Sequence, residues 1–568
     1  MRLSRSLLIG ASFIGALSSP AFAQTANAIP GDASQPSADT NASEEAGDDA
    51  EGNDIIVTAS KREKTLQDTP IAVSVTSAET IQQAQVRDLI DVQTLIPSLR
   101  VSQLQSSANT NFIIRGFGNG ANNAGIEPSV GVFIDGVYRS RSAAQIGDLP
   151  NLRRIEVLRG PQSTLFGKNA SAGIISIVTA EPSFDFGGSV EASYGNYNAV
   201  IIKGDVTGPI TDTVAFSIAG NYNRRDGYAD DLLQGTDVND RGRYGFRGQL
   251  LWEPNDQLKI RLIGDYDNID ENCCIAGNIV NGPTGGIIQV LAGGRGIDAQ
   301  NLFSYNIFNN FLSSNQIDNY GGSGQIDYEF GSLGLTSITA YRQVRADTNQ
   351  DSDFTGADLI SRNSQDLAID TFTQEVRLAS DFDGPVNFLL GGFYFNENID
   401  QDNQILFGTD FRPYGGALIN PAAFAGPNAV ANARAVVAGL EQQVGGILGN
   451  PAQFSGQFFR AGDGLTESYK LKDEAWSIFG TVDFDVTDRL TLSGGFNYTQ
   501  DRKRFSTNVV STDVFSGLDF VAIGRSAITQ QGIATTVGQA LGLPTGTLAT
   551  AAQIGAFAAA QPAAFGQI

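Results

Sequence analysis

The stretch I-E-V-L-R-G-P-Q-S-T-L-F-G-K-N-A-S-A-G-I-I-S-I-V-T, residues 155–179, decides how the rest of the chain reads. Its glycines, Gly160, Gly167 and Gly173, permit tight turns and close strand approach where a Cβ would clash, as does Gly116 earlier in the chain. Arg159 within it, and Arg115 before it, are the charges to watch, because a buried guanidinium needs carboxylate partners. Working outward, residues 69–183 read as a compact mixed α/β unit. Residues 70–76 alternate and are β-branched. Residues 77–89 suit a helix with Ile81, Ala84 or Gln85, and Leu89 on one face, capped by Ser77 or Thr80. Residues 111–116 and 130–134 are predicted strands, and Asp135-Gly136 makes a turn before Val137 and Tyr138.

The N-terminus sets the compartment. Arg2 and Arg5 form a basic region, residues 7–17 an apolar run too short to span a bilayer, and Ala21-Phe22-Ala23 a small-x-small cleavage site. The expected mature chain starts near Gln24, with no lipoprotein cysteine. Residues 24–53 carry Ala, Ser, Asp, Glu and Gly with almost no large apolar side chains, so they read as a disordered acidic tether. Directly after it, Asp54-Ile55-Ile56-Val57-Thr58-Ala59 is a short β-prone run able to add a strand to a partner's sheet edge.

Composition narrows the class. A formal net charge of -24 repels phosphates and offers no basic patch, which excludes nucleic acid as partner. No run after the N-terminal one approaches the roughly 18 apolar residues of a membrane helix. There is no histidine, so His-dependent triads, His metal ligands and His proton shuttles are absent from the sequence. Carboxylate-only glycosidase chemistry survives that filter, but nothing singles out a pair. No catalytic residue and no metal site is assigned.

From residue 186 the period becomes two. Val214, Phe216, Ile218, Gly220 and Tyr222 alternate with small or polar residues, as do Tyr244, Phe246, Gly248, Leu250 and Trp252. About eleven strands are expected near 186–194, 198–207, 213–223, 243–252, 258–268, 316–330, 334–346, 369–380, 386–397, 474–486 and 490–503. A soluble sandwich shares the alternation. Short turns at 208–212, 253–256, 330–334, 383–385 and 487–488 alternate with loops at 224–242, 269–315, 345–369 and 398–473, which is the outer-membrane barrel pattern. Tyr222, Trp252, Tyr266 and Trp476 suit interfacial girdles. Ala433, Val437, Leu440, Val444 and Ile447 mark a loop helix, and Ile533, Val537 and Leu541 hint at another. Cys273 and Cys274, the only cysteines, read as a loop clip, internal or to another segment, since two thiolates cannot complete a zinc site.

The stretch 155–179, with I-R-G-F-G at 114–118 and V-F-I-D-G-V-Y at 132–138, resembles the plug of TonB-dependent outer-membrane receptors of the siderophore type. The resemblance implies a membrane all-β barrel of the 22-stranded type, with an N-terminal mixed α/β plug in its lumen. It divides the chain into a signal peptide at 1–23, the tether at 24–53, a TonB box at 54–59, the plug at 65–183 and the N-terminal part of the barrel at 186–568. Only about eleven strands are in the sequence, so the chain is expected to be part of a longer protein. The plug motif positions are Arg115, Gly116, Asp135, Gly136, Arg159, Gly160, Gly167, Asn169 and Gly173. In this family plug arginines face barrel glutamates, which implies a cluster of Arg115, Arg159 and Glu375. The implied partners are the TonB-ExbB-ExbD complex, outer-membrane lipid and lipopolysaccharide, the barrel assembly machinery and a small-molecule ligand. No cofactor is bound permanently. The cargo is expected to be an iron-siderophore chelate, with cobalamin or an oligosaccharide as alternatives, a non-functional truncated receptor as another, and a passive porin or secreted glycosidase as the remaining ones.

Overall fold

The computed structural model describes residues 56–57, 61–62, 64–67, 69–86, 88–104, 106–120, 123–148, 151–272, 275–277, 279–296, 299–487 and 489–568. The signal peptide and tether, Asp54, Ile55, Thr58, Ala59, Cys273 and Cys274 lie outside the described residues.

The plug is built on a five-stranded mixed sheet in the order Val73–Ser77, Leu152–Arg159, Gly173–Thr179, Val130–Ile134, Val137–Arg139. Gly173–Thr179 and Val130–Ile134 run parallel, and the other pairs antiparallel. The two ends of the deciding stretch are thus adjacent central strands. Gly173 is required between them, because a Cβ there would lie 2.3 Å from the Leu158 carbonyl oxygen. Asp135 (φ 47°) and Gly136 (φ 76°) form the expected turn. The helix expected over 77–89 is shorter, α1 at Ala78–Gln83. Ser77 caps it by accepting from Thr80 N at 3.3 Å, and Gln85 at φ 55° ends the helical path while Ile81 and Leu89 stay in the core.

Eleven antiparallel strands form one meander in chain order: β1 Gly187–Gly195, β2 Ala199–Thr211, β3 Val214–Arg225, β4 Arg241–Asn255, β5 Leu258–Glu271, β6 Ser314–Phe330, β7 Leu333–Asn349, β8 Ile360–Ser380, β9 Val386–Phe407, β10 Gly464–Thr487 and β11 Leu490–Ser511. The expected strands are all present. Most run longer at their long-loop ends: β8 begins at Ile360, inside the segment expected as loop, and β10 at Gly464. The physical reason is that backbone pairing continues where both faces are wet, and there the apolar alternation that betrays a strand disappears.

The outer face carries two aromatic levels. The upper one follows the register from Tyr222 and Tyr244 through Tyr266, Tyr320 and Tyr341 to Tyr394, Trp476 and Tyr498. The lower one, near the short turns, includes Trp252, Tyr328, Phe388 and Phe484. Between them Ile218, Leu250, Leu262, Val376, Leu390 and Ile478 are exposed. Among the described residues no charged side chain faces outward in that band on β3–β11. An apolar belt between two aromatic girdles is what a bilayer requires of a barrel wall. No described helix is long and apolar enough to cross a membrane.

Over the long-loop end lie α2, Ala429–Ile447, and α3, Phe520–Ala540. Ala433, Val437 and Val444 of α2 are buried as the spacing predicts, and α2 and α3 share an apolar cluster with Phe454, Phe458 and Ile523. The loop helix packs on neighbouring loops. In α3 Val537 is buried, whereas Leu541 closes the helix and is exposed.

Candidate functional site

The inner face of the sheet is charged, and the plug meets it through ion pairs. Arg141, 2% exposed, donates through Nε to Glu397 Oε1 at 2.7 Å, and Ser140 and Thr371 also donate to Glu397. Lys168 Nζ lies 2.7 Å from Glu127, 2.6 Å from Asp473 on β10 and 2.8 Å from Asp501 on β11. Burial pushes the Glu127 carboxyl up, but Lys168 and Lys503 outweigh it and hold it down to about 2. Glu127, Asp473 and Asp501 are close enough together to hold a metal ion, but the Lys168 ammonium already stands against all three.

Two further clusters tie the plug to the same wall. Asp135 accepts from Thr179 N and Oγ1, each at 2.9 Å, and pairs with Arg247 of β4. Arg247 continues to Asp265 of β5 at 3.0 Å, which also faces Arg342 of β7 at 2.5 Å. Nearer the loops, Arg243 of β4 gathers Asp88 and Asp148 of the plug, each at 3.2 Å, and Glu271 of β5 at 2.6 Å. Each buried charge has an opposite charge close by, which is the condition for tolerating it away from water. Beside β1 and β2 the arrangement differs. A cavity of about 210 Å³ separates α1 from those strands, lined by Gln82, Gln85, Ser189, Glu191, Lys203 and Asp205.

The segment leading into the plug is the third part of the site. Ile56–Val57 pairs antiparallel with Lys64–Thr65, and Val57 is fully buried in a cluster with Phe133, Leu158, Ile174 and Phe395. Lys61 reaches Glu375 of β8 at 2.6 Å, and Arg62 reaches Asp483 of β10 at 3.2 Å. Burial lowers the Lys61 ammonium despite Glu375 beside it. Below them, toward the short turns, a cavity of about 1350 Å³ opens, lined by Lys61, Arg62, Asp135, Glu375, Arg377 and Asp483.

The cluster expected from Arg115, Arg159 and Glu375 is corrected by this geometry. Glu375 pairs with Lys61 and with its strand neighbour Arg377 at 3.1 Å. Arg115 is exposed at a φ of 52°, in the turn with Gly116, and Arg159 is half-buried with an unpartnered Nε. Neither has a carboxylate at ion-pair distance among the described residues. Which plug cation stands level with Glu375 is set by the folded height of each segment, and the segment at that height is 61–62. Asp135 does face the wall, and Asn169 donates to Tyr138 Oη at 2.8 Å. Gly116, Gly160 and Gly167 adopt positive φ. Sequence reasoning missed Lys61, Glu127, Arg141 and Lys168, along with Glu397 and Asp473. Lys168 sits inside the deciding stretch and Arg141 three residues after Tyr138, so cations flanking the plug motifs were the available signal.

Residues 65–174 match the TonB-dependent Receptor Plug Domain family. The ferrioxamine B receptor of Salmonella typhimurium is 27% identical over 201 residues, covering 34% of this chain and 27% of that protein. The vitamin B12 transporter of Vibrio vulnificus is 26% identical over 203 residues, covering 35% of this chain and 31% of that protein. The crystal structure of the ferric yersiniabactin uptake receptor of Yersinia pestis shares the fold, with a TM-score of 0.60 at 17% identity over 78% of this chain and 58% of that one. The chain spans less than two thirds of the length of each of these relatives.

Proposed function

We propose that this chain, a TonB-dependent outer-membrane receptor by its plug and its barrel sheet, serves the active import of an iron-siderophore chelate. The observation that carries the reading is the pairing of a short β segment, Ile56–Val57, into a hairpin that Lys61 and Arg62 tie to the wall toward its short turns. That is the end from which a periplasmic partner would pull.

In this reading the loops and the upper plug surface take up the ligand, and TonB, driven with ExbB and ExbD by the proton gradient, pairs with residues 54–59. Pulling first opens the Ile56–Thr65 hairpin and the Lys61–Glu375 pair. The next element in line, Val73–Ser77, is an edge strand of the plug sheet, so it can leave without splitting the sheet's centre. The Arg141 and Lys168 clusters, each with several partners, hold the rest of the plug in place. No permanently bound cofactor is needed, and the iron travels as cargo. The names of the ferrioxamine B and yersiniabactin relatives support an iron chelate. The vitamin B12 relative supports cobalamin as the second reading.

The test is uptake of radiolabelled ferric siderophores and of cobalamin by cells expressing the gene, with and without residues 54–59. Iron-chelate uptake that vanishes with the deletion supports the proposal. Uptake unchanged by the deletion identifies a passive pore, and cobalamin uptake alone identifies the second ligand.

A further inference from the structure

At the mouth of the barrel the loops are joined to one another by backbone amides of one loop donating to side chains and carbonyls of the next. Four loops take part, those after β3 (226–240), β5 (272–313), β7 (350–359) and β9 (408–463). Asp230 and Asp231 pair in parallel with Asn306 and Ile307, with Asp230 N donating to Tyr305 O at 2.9 Å and Leu232 N to Ile307 O at 3.0 Å. Ala229, Val238 and Ile307 form a small apolar core beside this pairing, so the first two loops share both a sheet and a core.

Asn309 and Asn310 are the hub. Asn309 N reaches the buried Asp231 Oδ1 at 3.4 Å, and the Gln234 carboxamide donates to Asn309 O at 2.9 Å and to Asn310 O at 3.1 Å. On the other side Asn310 N donates to the fully buried Asp351 at 3.0 Å, and its Nδ2 donates to Asp358 Oδ1 at 3.0 Å and to Ile360 O at 2.9 Å. Asp351 N donates back to Ser313 Oγ at 3.1 Å. Asp358 carries the chain of bonds onward. Its Oδ2 accepts from Thr409 N at 2.8 Å and Thr409 Oγ1 at 2.9 Å, its N donates to Asp410 Oδ2 at 3.2 Å, and its carbonyl accepts from Asp410 N at 2.8 Å. Gly408 permits that approach, since a Cβ there would lie 2.1 Å from Asp358 O. Gly356 is seated between the first two loops, where a Cβ would lie 2.8 Å from Arg295 O and 3.5 Å from Leu233 Cδ2.

We infer that these four loops are one gate, which opens as a unit about the Asn309–Asn310 hub and not loop by loop. A carboxylate that accepts amides from a neighbouring loop holds it firmly, and losing one such bond leaves buried charge short of donors. Bonds that share a residue reinforce one another and fail together, which is what makes a region open as a single cooperative body. A ligand that contacts any one of the loops then biases all four. As a gate for the ligand this rests on the import proposed above, but the unity of the loops is a property of the ligand-free chain, so an uptake assay that fails leaves it standing.

The experiment is hydrogen exchange, read by mass spectrometry, on the full chain folded in detergent without ligand, comparing the wild type with Asn310→Ala and Gln234→Ala. The Gln234 side chain bonds to the loop after β5, whereas the Asn310 side chain bonds to residues 358 and 360. The expected result is that each variant speeds exchange about threefold or more in residues 228–238, 304–313, 350–359 and 406–412 alike, with the plug strand Gly173–Thr179 unchanged. Faster exchange confined to the segments that the altered side chain touches, or no change at all, overturns the single gate, as does a rise shared by Gly173–Thr179, which is general loosening. If Asn310→Ala loses the heat-shifted mobility of a folded barrel, Gly408→Ala takes its place at the far end of the network: faster exchange that reaches 228–238 supports the gate, and faster exchange that stops at 350–359 overturns it.

Discussion

The two faces of the same strands obey opposite rules. On β4–β11 the outer face between the girdles is uncharged and mostly apolar, with Ser337, Thr339 and Gln374 as polar positions that hydrogen-bond one another, whereas the inner face, one residue away along each strand, carries Arg243, Arg247, Asp265, Arg342, Glu375, Glu397 and Asp473. Alternation puts neighbouring residues into different solvents, lipid on one side and a packed plug on the other. The difference teaches that buried charge here is a matter of partnership. Glu397 and Asp473 are fully buried because plug cations meet them.

The strongest way to break the contrast is to leave an inner charge alone. Arg141→Ala strips Glu397 of its guanidinium and is expected to destabilise the seated plug by about 3–5 kcal/mol. It is read as faster proteolysis of the plug in an intact barrel and as leakage of large antibiotics. Adding Glu397→Gln should restore much of the loss, because the orphaned charge goes with it.

Placing a charge on the outer face tests the other half. Leu262→Arg, between the girdles on β5, should cost about 2–4 kcal/mol, measured as a lower urea midpoint for barrel unfolding in lipid vesicles. The same substitution at Gln343, above the upper girdle, should cost under about 1 kcal/mol.

A smaller effect comes from the loops, where charge is buried without a cation. Asp351, fully buried, accepts from Phe354 N at 2.9 Å and Asn310 N at 3.0 Å, with Asp353 as its charged neighbour. Burial first, and Asp353 second, push its carboxyl up to about 7. A folded-state value above the unfolded one means that the protonated acid is favoured in the folded loop. Its stabilisation is complete below the ordinary carboxylate range and is lost as pH rises through about 7. Hydrogen-exchange protection of residues 350–359, corrected for intrinsic rates, should therefore be greater at acidic than at alkaline pH. Asp351→Asn should flatten that dependence.

Much of the fold was legible in the chain. The Ser77 cap, the Asp135-Gly136 turn, all eleven strands and the α2 spacing depend on local backbone preference or on a period, and both are written along the sequence. The long-loop ends of β8 and β10 were not legible, since a strand with two wet faces has no apolar alternation. The charge clusters were half legible. Glu375 was identified as a wall carboxylate with a plug partner, but the partner is Lys61, more than three hundred residues away.

The sequence by itself determined the plug sheet, the barrel meander and the alternation of its short turns with long loops, because each rests on neighbours along the chain. Only the tertiary structure decided that Lys61 meets Glu375, that Arg141 meets Glu397 and that Lys168 joins three carboxylates. Those pairings depend on the height at which each plug residue sits against a strand register, and Coulomb attraction acts across that distance in space and not along the chain.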